Sequence, residues 1–567
     1  SSATAVRPLL VVPMTGVSAR FTAAGYDRPK FLLETDGQLV IDHVVDMYPG
    51  WDDVVFVCNA LHLDDPRWDL ENHLLRRRPR ATVVRVDPGT LGPGDAILRA
   101  REHIPLDRAV VVNYCDFTAV QDSDLLAERL TSGEIDGVIP VYTGFHPHMA
   151  HSTSYAYVRM DGDRVADIQE KQPWTDDPGS EFASSGTYAF ASGKVLLDSL
   201  DQQVEEGHLL KGEYYLSLTY KPLLARGGRV EVLELQHFMQ WGTPQDFEEY
   251  RETSRAVAAW TAPRVRPSGA PETPAARVLL ASGAGQRFKD AGYDAPKPAL
   301  PLSGRPVVDH ALAGLPGRET VLVTRRDLAD HGALATLAEQ VGARLVSLPG
   351  MTRGQAESAL RGLEAVSADV SVTIGACDAL PTITQAAFDD ALATAGPDGL
   401  VVWAARPYHA AARRPEQYGW VSVAPDGTVG DSWLKQVPAD PAAGVMIGTF
   451  TFGSRDAGIR HIESLMADDE RVNGEFYLDS LVARLAKQGV AVAALVVETF
   501  SSVGTPAEYE SLRYWQSCFH KWVHHPYALA ADPLVRAADR AALDREFRAF
   551  SPVLPRTAPP GTPPRGS

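Results

Sequence analysis

Two cations recur at the same spacing in two distant parts of the sequence. Arg20 and Lys30 stand ten residues apart, as do Arg287 and Lys297, and eight of the eleven positions in the two spans are identical. The chain therefore contains an internal repeat with a period of about 265 residues, long enough for whole domains. A guanidinium and an ammonium held at a fixed spacing suit a polyphosphate, whose negative charge must be neutralised before its phosphorus can be attacked.

A glycine-containing loop precedes each pair of cations. The runs "PLLVVPMTG" and "ARVLLASGAG" each predict a buried strand that enters a loop. In the second copy, Gly283 and Gly285 allow the backbone N–H groups to approach phosphate oxygens, although a tight turn explains such glycines equally well. The first copy keeps Gly16 but has Ser18 in place of the second glycine. We expect this side chain to narrow the approach to a phosphate.

An aspartate ends a later apolar strand in each copy. Asp116 follows "VVVNYC" and Asp378 follows "VTIGAC". A carboxylate at the carboxyl end of a parallel strand lies at the crevice where α/β sheets bind ligands, and it could hold Mg²⁺ against phosphate oxygens. The alternative is an Asp that caps the next helix. The preceding Cys115 and Cys377 are interpreted as small core residues.

Strands alternate with helix-like segments through both copies, which predicts α/β domains with mostly parallel sheets. A Pro-, Ala- and Ser-rich stretch separates the copies and reads as a linker. The predicted organisation is a first domain at 7–257, a linker at 258–275, a second domain at 276–515, a helical extension at 516–550 and a disordered tail at 551–567.

Composition limits the classes of function. The 567 residues are 45% hydrophobic and carry a net charge of −18, which argues against general binding to nucleic acids or anionic membranes. Four scattered cysteines do not make a disulfide scaffold. No apolar run reaches membrane-spanning length and no leader pattern is evident, so we expect a cytoplasmic protein. The oligomeric state is open.

The motifs together resemble those of the sugar-phosphate nucleotidyltransferases. The likeness runs through the glycine loop, Arg and Pro-Lys, then "TLGPGDAILRA", "NYCD", "IQEKQP", "SSGTYAF", "GEYYL" and "QWGTPQDFEEY" in copy one. Copy two has "TRGQAESAL", "ACDAL", "WLKQVP", "IGTFTF", "GEFYL" and "VGTPAEY". The resemblance implies two tandem Rossmann-like, GT-A-like domains with mixed, mostly parallel sheets and a short C-terminal helical extension.

The resemblance also implies a reaction and a set of site residues. A sugar phosphate or phosphorylated polyol attacks the α-phosphorus of a nucleoside triphosphate, with Mg²⁺ as cofactor and pyrophosphate as the second product. The residues implied in catalysis are Arg20, Lys30, Lys171, Arg287, Lys297 and Lys435. Those implied in nucleotide binding are Gly16, Ser18, Gly92, Gly94, Gly283, Gly285 and Gly354. Those implied in binding the second substrate are Glu170, Gly186, Glu213, Gly448 and Glu475, and the implied metal ligands are Asp116 and Asp378.

Three departures from the pattern leave alternatives open. Besides Ser18, copy two has Leu434 in place of Glu170, and Gln240 and Ser502 stand where many relatives carry a second metal Asp. We therefore expect at least one active site, while one or both halves could instead be a nucleotide-sensing regulatory module. A glycosyltransferase is a further alternative, although the Asp-x-Asp motif typical of that class is missing. The nucleobase and the acceptor are not determined.

Overall fold

The computed structural model describes residues 6–150, 152, 154–329 and 332–550, and the predicted tail at 551–567 lies outside the described residues. The chain divides into two compact units. The first extends to Tyr250 and includes Phe550, and the second runs from Arg251 to Ala549. No helix in the described ranges is both long and apolar enough to span a bilayer.

Among the described residues, the first unit contains a ten-stranded mixed sheet and two further sheets of two strands each. Its strands are β1 (Leu9–Met14), β2 (Glu34–Thr35), β3 (Gln38–Leu39), β4 (Val54–Asn59), β5 (Thr82–Val86), β6 (Val110–Asn113), β7 (Phe117–Val120), β8 (Gly137–Tyr142), β9 (Ala156–Asp161), β10 (Arg164–Glu170), β11 (Phe182–Ser184), β12 (Thr187–Phe190), β13 (Val230–Glu234) and β14 (His237–Gln240). Its helices are α1 (Ala19–Ala23), α2 (Val40–Asp46), α3 (Ala60–Asp64), α4 (Leu70–Arg77), α5 (Gly92–Arg99), α6 (Ser123–Leu130), α7 (Gly193–Glu206), α8 (Tyr220–Ala225) and α9 (Pro244–Ala258), which continues past Tyr250.

The strand order is β10-β9-β11-β8-β12-β6-β1-β4-β5, with β13 added beside β8. Strands β6, β1, β4 and β5 run parallel, whereas β12 lies antiparallel to both β6 and β8. The parallel half consists of apolar, β-branched runs such as "LLVVPM" in β1, all of whose residues are buried. A parallel sheet covered on both faces requires such runs. The carboxyl ends of β1 and β6 thus meet at one edge.

The described part of the second unit repeats this plan with a nine-stranded sheet, a three-stranded sheet and a two-stranded sheet. Its strands are β15 (Val265–Arg266), β16 (Ala275–Leu280), β17 (Pro301–Leu302), β18 (Arg305–Pro306), β19 (Glu319–Arg325), β20 (Arg344–Leu348), β21 (Ser371–Ala376), β22 (Ala379–Thr384), β23 (Leu400–Ala405), β24 (Gly419–Val423), β25 (Val429–Leu434), β26 (Gly444–Phe452), β27 (Val492–Val496) and β28 (Thr499–Ser502). Its helices are α10 (Gln286–Asp290), α11 (Val307–Ala313), α12 (Arg326–Ala329), α13 (Ala333–Gln340), α14 (Gln355–Glu364), α15 (Gln385–Ala395), α16 (His409–Arg413), α17 (Arg455–Ala467), α18 (Ser480–Lys487), α19 (Pro506–Lys521) and α20 (Arg540–Ala549).

The order β20-β19-β16-β21-β26-β23-β27 reproduces the first sheet element by element. The parallel strands β21, β16, β19 and β20 correspond to β6, β1, β4 and β5, and β26 replaces the pair β11 and β12. Each unit has its own apolar core, which in the second includes Val278, Ile374 and Leu363. The predicted fold class, two tandem Rossmann-like α/β domains, is confirmed.

A C-terminal extension completes the second unit. The long helix α19 begins with a capping box between Thr505 and Glu508, which satisfies the backbone N–H groups of its first turn. The shorter helix α20 packs beside α19, and the Ser517 hydroxyl donates to the carbonyl of Phe547. In the predicted linker, β15 pairs in parallel with β22, and buried Arg264 forms an ion pair with Asp532 at 3.3 Å. The helical extension predicted from the sequence is thus present.

Candidate active sites

In the first unit, the predicted cation and the predicted carboxylate are in direct contact. Lys30 begins a short 3₁₀ helix (Lys30–Leu32) that Pro29 introduces, and Asp116 follows the end of β6. The Lys30 ammonium donates to Asp116 Oδ2 at 2.7 Å, and the two side chains are only 24% and 21% exposed. Burial disfavours the ammonium charge, but the Asp116 carboxylate and the neighbouring Cys115 together raise the pKa of Lys30. The ammonium therefore stays charged where a phosphate could reach it.

The second unit contains the same pair. The Lys297 ammonium donates to Asp378 Oδ2 at 2.8 Å, and Lys297 likewise begins a short helix behind a proline. Burial again opposes the charge, while Cys377 and Asp378 raise the pKa of Lys297. In sequence the two residues of each pair lie 86 and 81 positions apart, so their contact is a product of the fold. Its recurrence indicates a shared cation–carboxylate centre.

A glycine lies beside each aspartate that the resemblance implies as a Mg²⁺ ligand. A Cβ built on Gly242 would lie 2.9 Å from Asp116 Oδ2, and one on Gly504 would lie 3.4 Å from Asp378 Oδ2. A glycine therefore keeps one side of each carboxylate open. Within the described ranges, no group of three or more His, Cys, Asp or Glu side chains could hold a metal. A single carboxylate beside open space is chemically compatible with Mg²⁺, which usually binds one or two carboxylates and takes its other ligands from phosphates and water.

The positions of the missing second carboxylates are occupied by groups with other partners. Gln240 Oε1 accepts hydrogen bonds from the backbone N–H groups of Trp241 and Gly242. The Ser502 hydroxyl donates to Glu508 Oε2 at 2.9 Å. Each side chain therefore braces the loop beside the aspartate.

The glycine loops differ between the units as the sequence predicts. Ser18 adopts the left-handed conformation (φ 57°) that Gly285 adopts at the matching position (φ 63°). The Ser18 hydroxyl accepts a hydrogen bond from the backbone N–H of Lys30 at 3.0 Å. Ser18 thus braces the loop against Lys30 in addition to occupying space. Gly16 and Gly283 are exposed, and a Cβ on either would contact nothing within 4 Å.

Ser18 allows a prediction about stability. Glycine adopts φ > 0 without the strain that a Cβ brings, so Ser18→Gly removes strain as well as the hydroxyl bond. We expect its free energy of unfolding to stay within about 1 kcal/mol of the original. Ser18→Ala keeps the strain and loses the bond, so it should cost about 1–2 kcal/mol. Urea unfolding of the two variants tests this order, and a less stable Gly variant would contradict it.

The two arginines lie on the first helices after the loops. Arg20 and Arg287 are exposed on α1 and α10. Arg20 is close enough to act electrostatically on both Lys30 and Tyr215. Burial lowers the pKa of Lys30 and Arg20 adds a smaller effect in the same direction, whereas for Tyr215 Arg20 opposes burial and the neighbouring carboxylates, which raise the pKa. An exposed guanidinium near the Lys–Asp pair is free to meet a phosphate.

Three of the predicted nucleotide-binding glycines pack closely against other parts of the protein. A Cβ on Gly92 would lie 2.9 Å from Glu213 Cβ, and one on Gly94 would lie 2.7 Å from the Tyr214 carbonyl oxygen. The Gly94 N–H donates to that carbonyl. In the second unit, a Cβ on Gly354 would lie 2.6 Å from the backbone N and O of Phe476. Close backbone packing alone explains these glycines, and their contact with a nucleotide stays a prediction.

The predicted second-substrate residues of the first unit converge at the end of β10. The Ser217 hydroxyl donates to Glu170 Oε2 at 2.7 Å, and burial raises the pKa of Glu170. The Lys171 ammonium donates to the Tyr215 hydroxyl at 3.0 Å and lies 4.9 Å from that ring. Glu213 is exposed, and its hydrogen bond to Tyr215 is one cause of the raised pKa of that phenol. The sequence reasoning missed Tyr215 and Ser217, although both lie in or beside the quoted "GEYYL" motif.

The second unit arranges its counterpart differently. The Lys435 ammonium lies 5.4 Å from the Tyr477 ring, and the Tyr477 hydroxyl donates to Glu475 Oε2 at 2.7 Å. The predicted Gly186 and Gly448 both adopt positive φ (109° and 79°), Gly186 just before β12 and Gly448 within β26. Sequence reasoning also missed Asp479, one residue beyond "GEFYL", where the first unit has Ser217.

The cysteines beside the aspartates do not favour nucleophilic roles. All four cysteines are buried. Burial raises the pKa of Cys115 to about 12 and that of Cys377 to about 11. A nucleophilic cysteine requires the opposite shift.

Asp479 carries a pH-dependent cost to stability. Burial raises the pKa of Asp479 from 3.8 to about 6, against the opposing charge of Lys435. The folded state thus holds a proton that the unfolded state has lost between pH 4 and 6, so stability falls as pH rises through that window. Asp479→Asn should raise the free energy of unfolding at pH 8 by about 1–3 kcal/mol, and by less at pH 5. Denaturant unfolding at both pH values tests this against Asp431→Asn, an exposed control on β25. An equal gain at both values would contradict it.

Comparison with known proteins identifies the family. Residues 10–172 and 277–550 match the MobA-like NTP transferase domain. The chain belongs to this family of nucleotidyltransferases, and the match falls in both units.

The bifunctional protein GlmU of Kineococcus radiotolerans is 30% identical over 234 residues, which cover 40% of this chain and 45% of that protein. The 2-C-methyl-D-erythritol 4-phosphate cytidylyltransferase of Ectopseudomonas mendocina is 41% identical over 59 residues, 10% of this chain and 24% of that protein. The chain thus spans less than half of these curated relatives. A solved nucleoside-diphosphate-sugar pyrophosphorylase from Vibrio cholerae is 19% identical with a TM-score of 0.36, and the match covers 42% of this chain and 98% of that one.

Proposed function

We propose that at least one of the two units transfers a nucleotidyl group from a nucleoside triphosphate to a sugar phosphate or phosphorylated polyol. The observation that carries the proposal is the partly buried ion pair of Lys30 and Asp116, which recurs as the ion pair of Lys297 and Asp378. A charged ammonium and a carboxylate beside an open glycine loop suit a magnesium-bound triphosphate.

In the reaction, a phosphate oxygen of the acceptor attacks the α-phosphorus, and the bond from that phosphorus to the bridging oxygen of the β-phosphate breaks. The electron pair leaves with pyrophosphate. No protein nucleophile is needed, so positioning and charge neutralisation carry the rate. Mg²⁺ held by Asp116 or Asp378 would supply further positive charge at the phosphates.

The protein's own residues divide the work. Lys30 and Lys297 neutralise the triphosphate, and Arg20 and Arg287 meet the departing pyrophosphate. In the first unit, Glu170 accepts hydrogen bonds from acceptor hydroxyls while Lys171 meets the acceptor phosphate. Ser217 and Tyr215 hold these two side chains in place.

The test is pyrophosphate release by the full chain with Mg²⁺, each of the common nucleoside triphosphates, and a panel of acceptors. The panel includes glucose 1-phosphate, N-acetylglucosamine 1-phosphate, inositol 1-phosphate and glycerol 3-phosphate. We expect release that requires one triphosphate and one acceptor together. Release that ignores the acceptor would indicate hydrolysis instead, and silence across the panel would contradict the proposal.

A further inference from the structure

The acceptor ends of the two units share one backbone arrangement. Glu170 pairs with Ala156 across the β9–β10 hairpin, and Leu434 pairs with Gly419 at the same register position of the β24–β25 hairpin. The next residue is a lysine with positive φ in both units, 59° at Lys171 and 52° at Lys435.

Two further contacts confirm that the hairpins correspond. The backbone N–H of Lys171 donates to the carbonyl of Tyr155 at 2.8 Å, and that of Lys435 donates to the carbonyl of Tyr418 at 2.9 Å. Each ammonium then lies over a tyrosine ring of the "GEYYL" or "GEFYL" segment. The side chains of the two hairpins can therefore be compared at corresponding positions.

The carboxylate next to this lysine is on the hairpin strand in the first unit and on the facing segment in the second. In the first unit it is Glu170 on β10, and Ser217 from the facing segment donates to it. In the second unit the strand position is the apolar Leu434, and the facing position of Ser217 is occupied by Asp479. Lys435 acts electrostatically on Asp479. The Ser217 position thus carries a carboxylate in the second unit, and the Glu170 position carries an alkyl side chain.

Strand β24 has a glycine, Gly419, where it faces Asp479. A Cβ on Gly419 would lie 3.0 Å from Asp479 Oδ2 and 3.4 Å from Leu434 Cδ2. The first unit has Ala156 at the corresponding position and Ser217, not a carboxylate, at the position of Asp479. Gly419 thus provides the space that Asp479 occupies.

Helix capping does not explain Asp479. It precedes α18, but its backbone is helical (φ −54°, ψ −34°) and its side chain makes no capping hydrogen bond. An N-cap residue normally has extended dihedrals and accepts from the first turn. Asp479 therefore keeps its carboxylate beside Lys435, at a cost in desolvation that a purely structural role would not require.

We infer that Asp479 is the acceptor-binding carboxylate of the second unit, replacing Glu170 of the first. The inference rests on the proposed function of these units. Asp479 accepts hydrogen bonds from acceptor hydroxyls from the side opposite to Glu170, and Leu434 offers an apolar surface where the first unit offers a charge. The two units therefore select phosphorylated acceptors with different hydroxyl arrangements.

The test uses the full chain with Asp116→Asn, so that the remaining turnover reports the second unit. Pyrophosphate release is measured with each triphosphate and with the four acceptors of the panel. Adding Asp479→Asn should raise KM for the acceptor about 10- to 100-fold, because a hydrogen bond to a charged group is lost, while KM for the triphosphate stays within about twofold. Asp431→Asn, the same change at an exposed site on β25, should leave both values unchanged.

A transplant provides the converse test. Leu434→Glu combined with Asp479→Ser and Gly419→Ala installs the residues of the first unit, and it should shift the acceptor preference of the second unit toward that of the first. If Asp479→Asn leaves the acceptor KM unchanged, or raises KM for the triphosphate equally, the inference is wrong and the proposed function stands. If the second unit releases no pyrophosphate with any combination, the proposed function of that unit fails and the inference with it.

Discussion

Asp116→Asn is expected to lower pyrophosphate release by the first unit about 10³-fold, and Asp378→Asn to do the same in the second. Asn keeps the size of the side chain but removes the charge that would hold Mg²⁺ under the proposed function and that raises the pKa of the neighbouring lysine. Because each carboxylate serves its own unit, a single variant should lose turnover with one acceptor and keep it with the other. The double variant should lose both. Steady-state pyrophosphate release in the full chain measures these losses.

Matched controls are available on the surface of each unit. Asp107→Asn and Asp390→Asn make the same change at exposed positions away from the Lys–Asp pairs, and both should retain full turnover. Turnover that survives in the double variant would contradict a role for the two carboxylates. If Asp378→Asn removes all turnover while Asp116→Asn removes none but the first unit still binds triphosphate, the first unit is a nucleotide sensor, as its Ser18 loop would allow.

Gly354→Ala is expected to destabilise the second unit by about 3 kcal/mol or more. Gly354 has φ 130°, which residues with a Cβ rarely adopt, and the added Cβ would lie 2.6 Å from two backbone atoms of Phe476. Backbone atoms cannot move aside as the end of a flexible side chain does. The segment that carries Glu475 and Tyr477 must therefore shift, which should also raise KM of the second unit for both substrates. Calorimetric unfolding and steady-state kinetics measure the two effects.

The control for Gly354 lies in the same loop. A Cβ on Gly350 would contact nothing within 4 Å, and its φ is not positive, so Gly350→Ala should leave stability within about 0.5 kcal/mol. A Gly354→Ala variant as stable as Gly350→Ala would show that the close packing against Phe476 yields without cost. In the first unit, Gly92→Ala should act in the same direction but less strongly, since the shortest contact there is with Glu213 Cβ at 2.9 Å.

Much of the site could be predicted because its parts are local. The Arg-to-Lys spacing, the apolar strand that ends in Asp and the glycine loop each lie within about fifteen residues, and their repetition in one chain removed the ambiguity of any single motif. The rule that parallel strands align their carboxyl ends then predicts that the loop and the aspartate meet. The 2.7 Å and 2.8 Å Lys–Asp contacts agree with that expectation.

Other features depended on contacts between segments distant in sequence. The packing of Gly92 and Gly354 against the "GEYYL" and "GEFYL" segments could not be read from local patterns. In the sequence, Leu434 indicates the loss of a carboxylate. The fold places the Asp479 carboxylate beside Gly419, the residue that pairs with Leu434.

The order of residues alone therefore determined that this chain is a duplicated α/β protein, because strand periodicity and motif spacing are properties of short segments, and the resemblance of its motifs indicated the nucleotidyltransferase family. Only the tertiary structure decided which glycines pack closely against other segments, and whether the carboxylate of each unit is on the hairpin strand or on the segment that faces it. Those outcomes depend on strand register and on side chains brought together from more than forty positions apart, as Glu170 and Ser217 are.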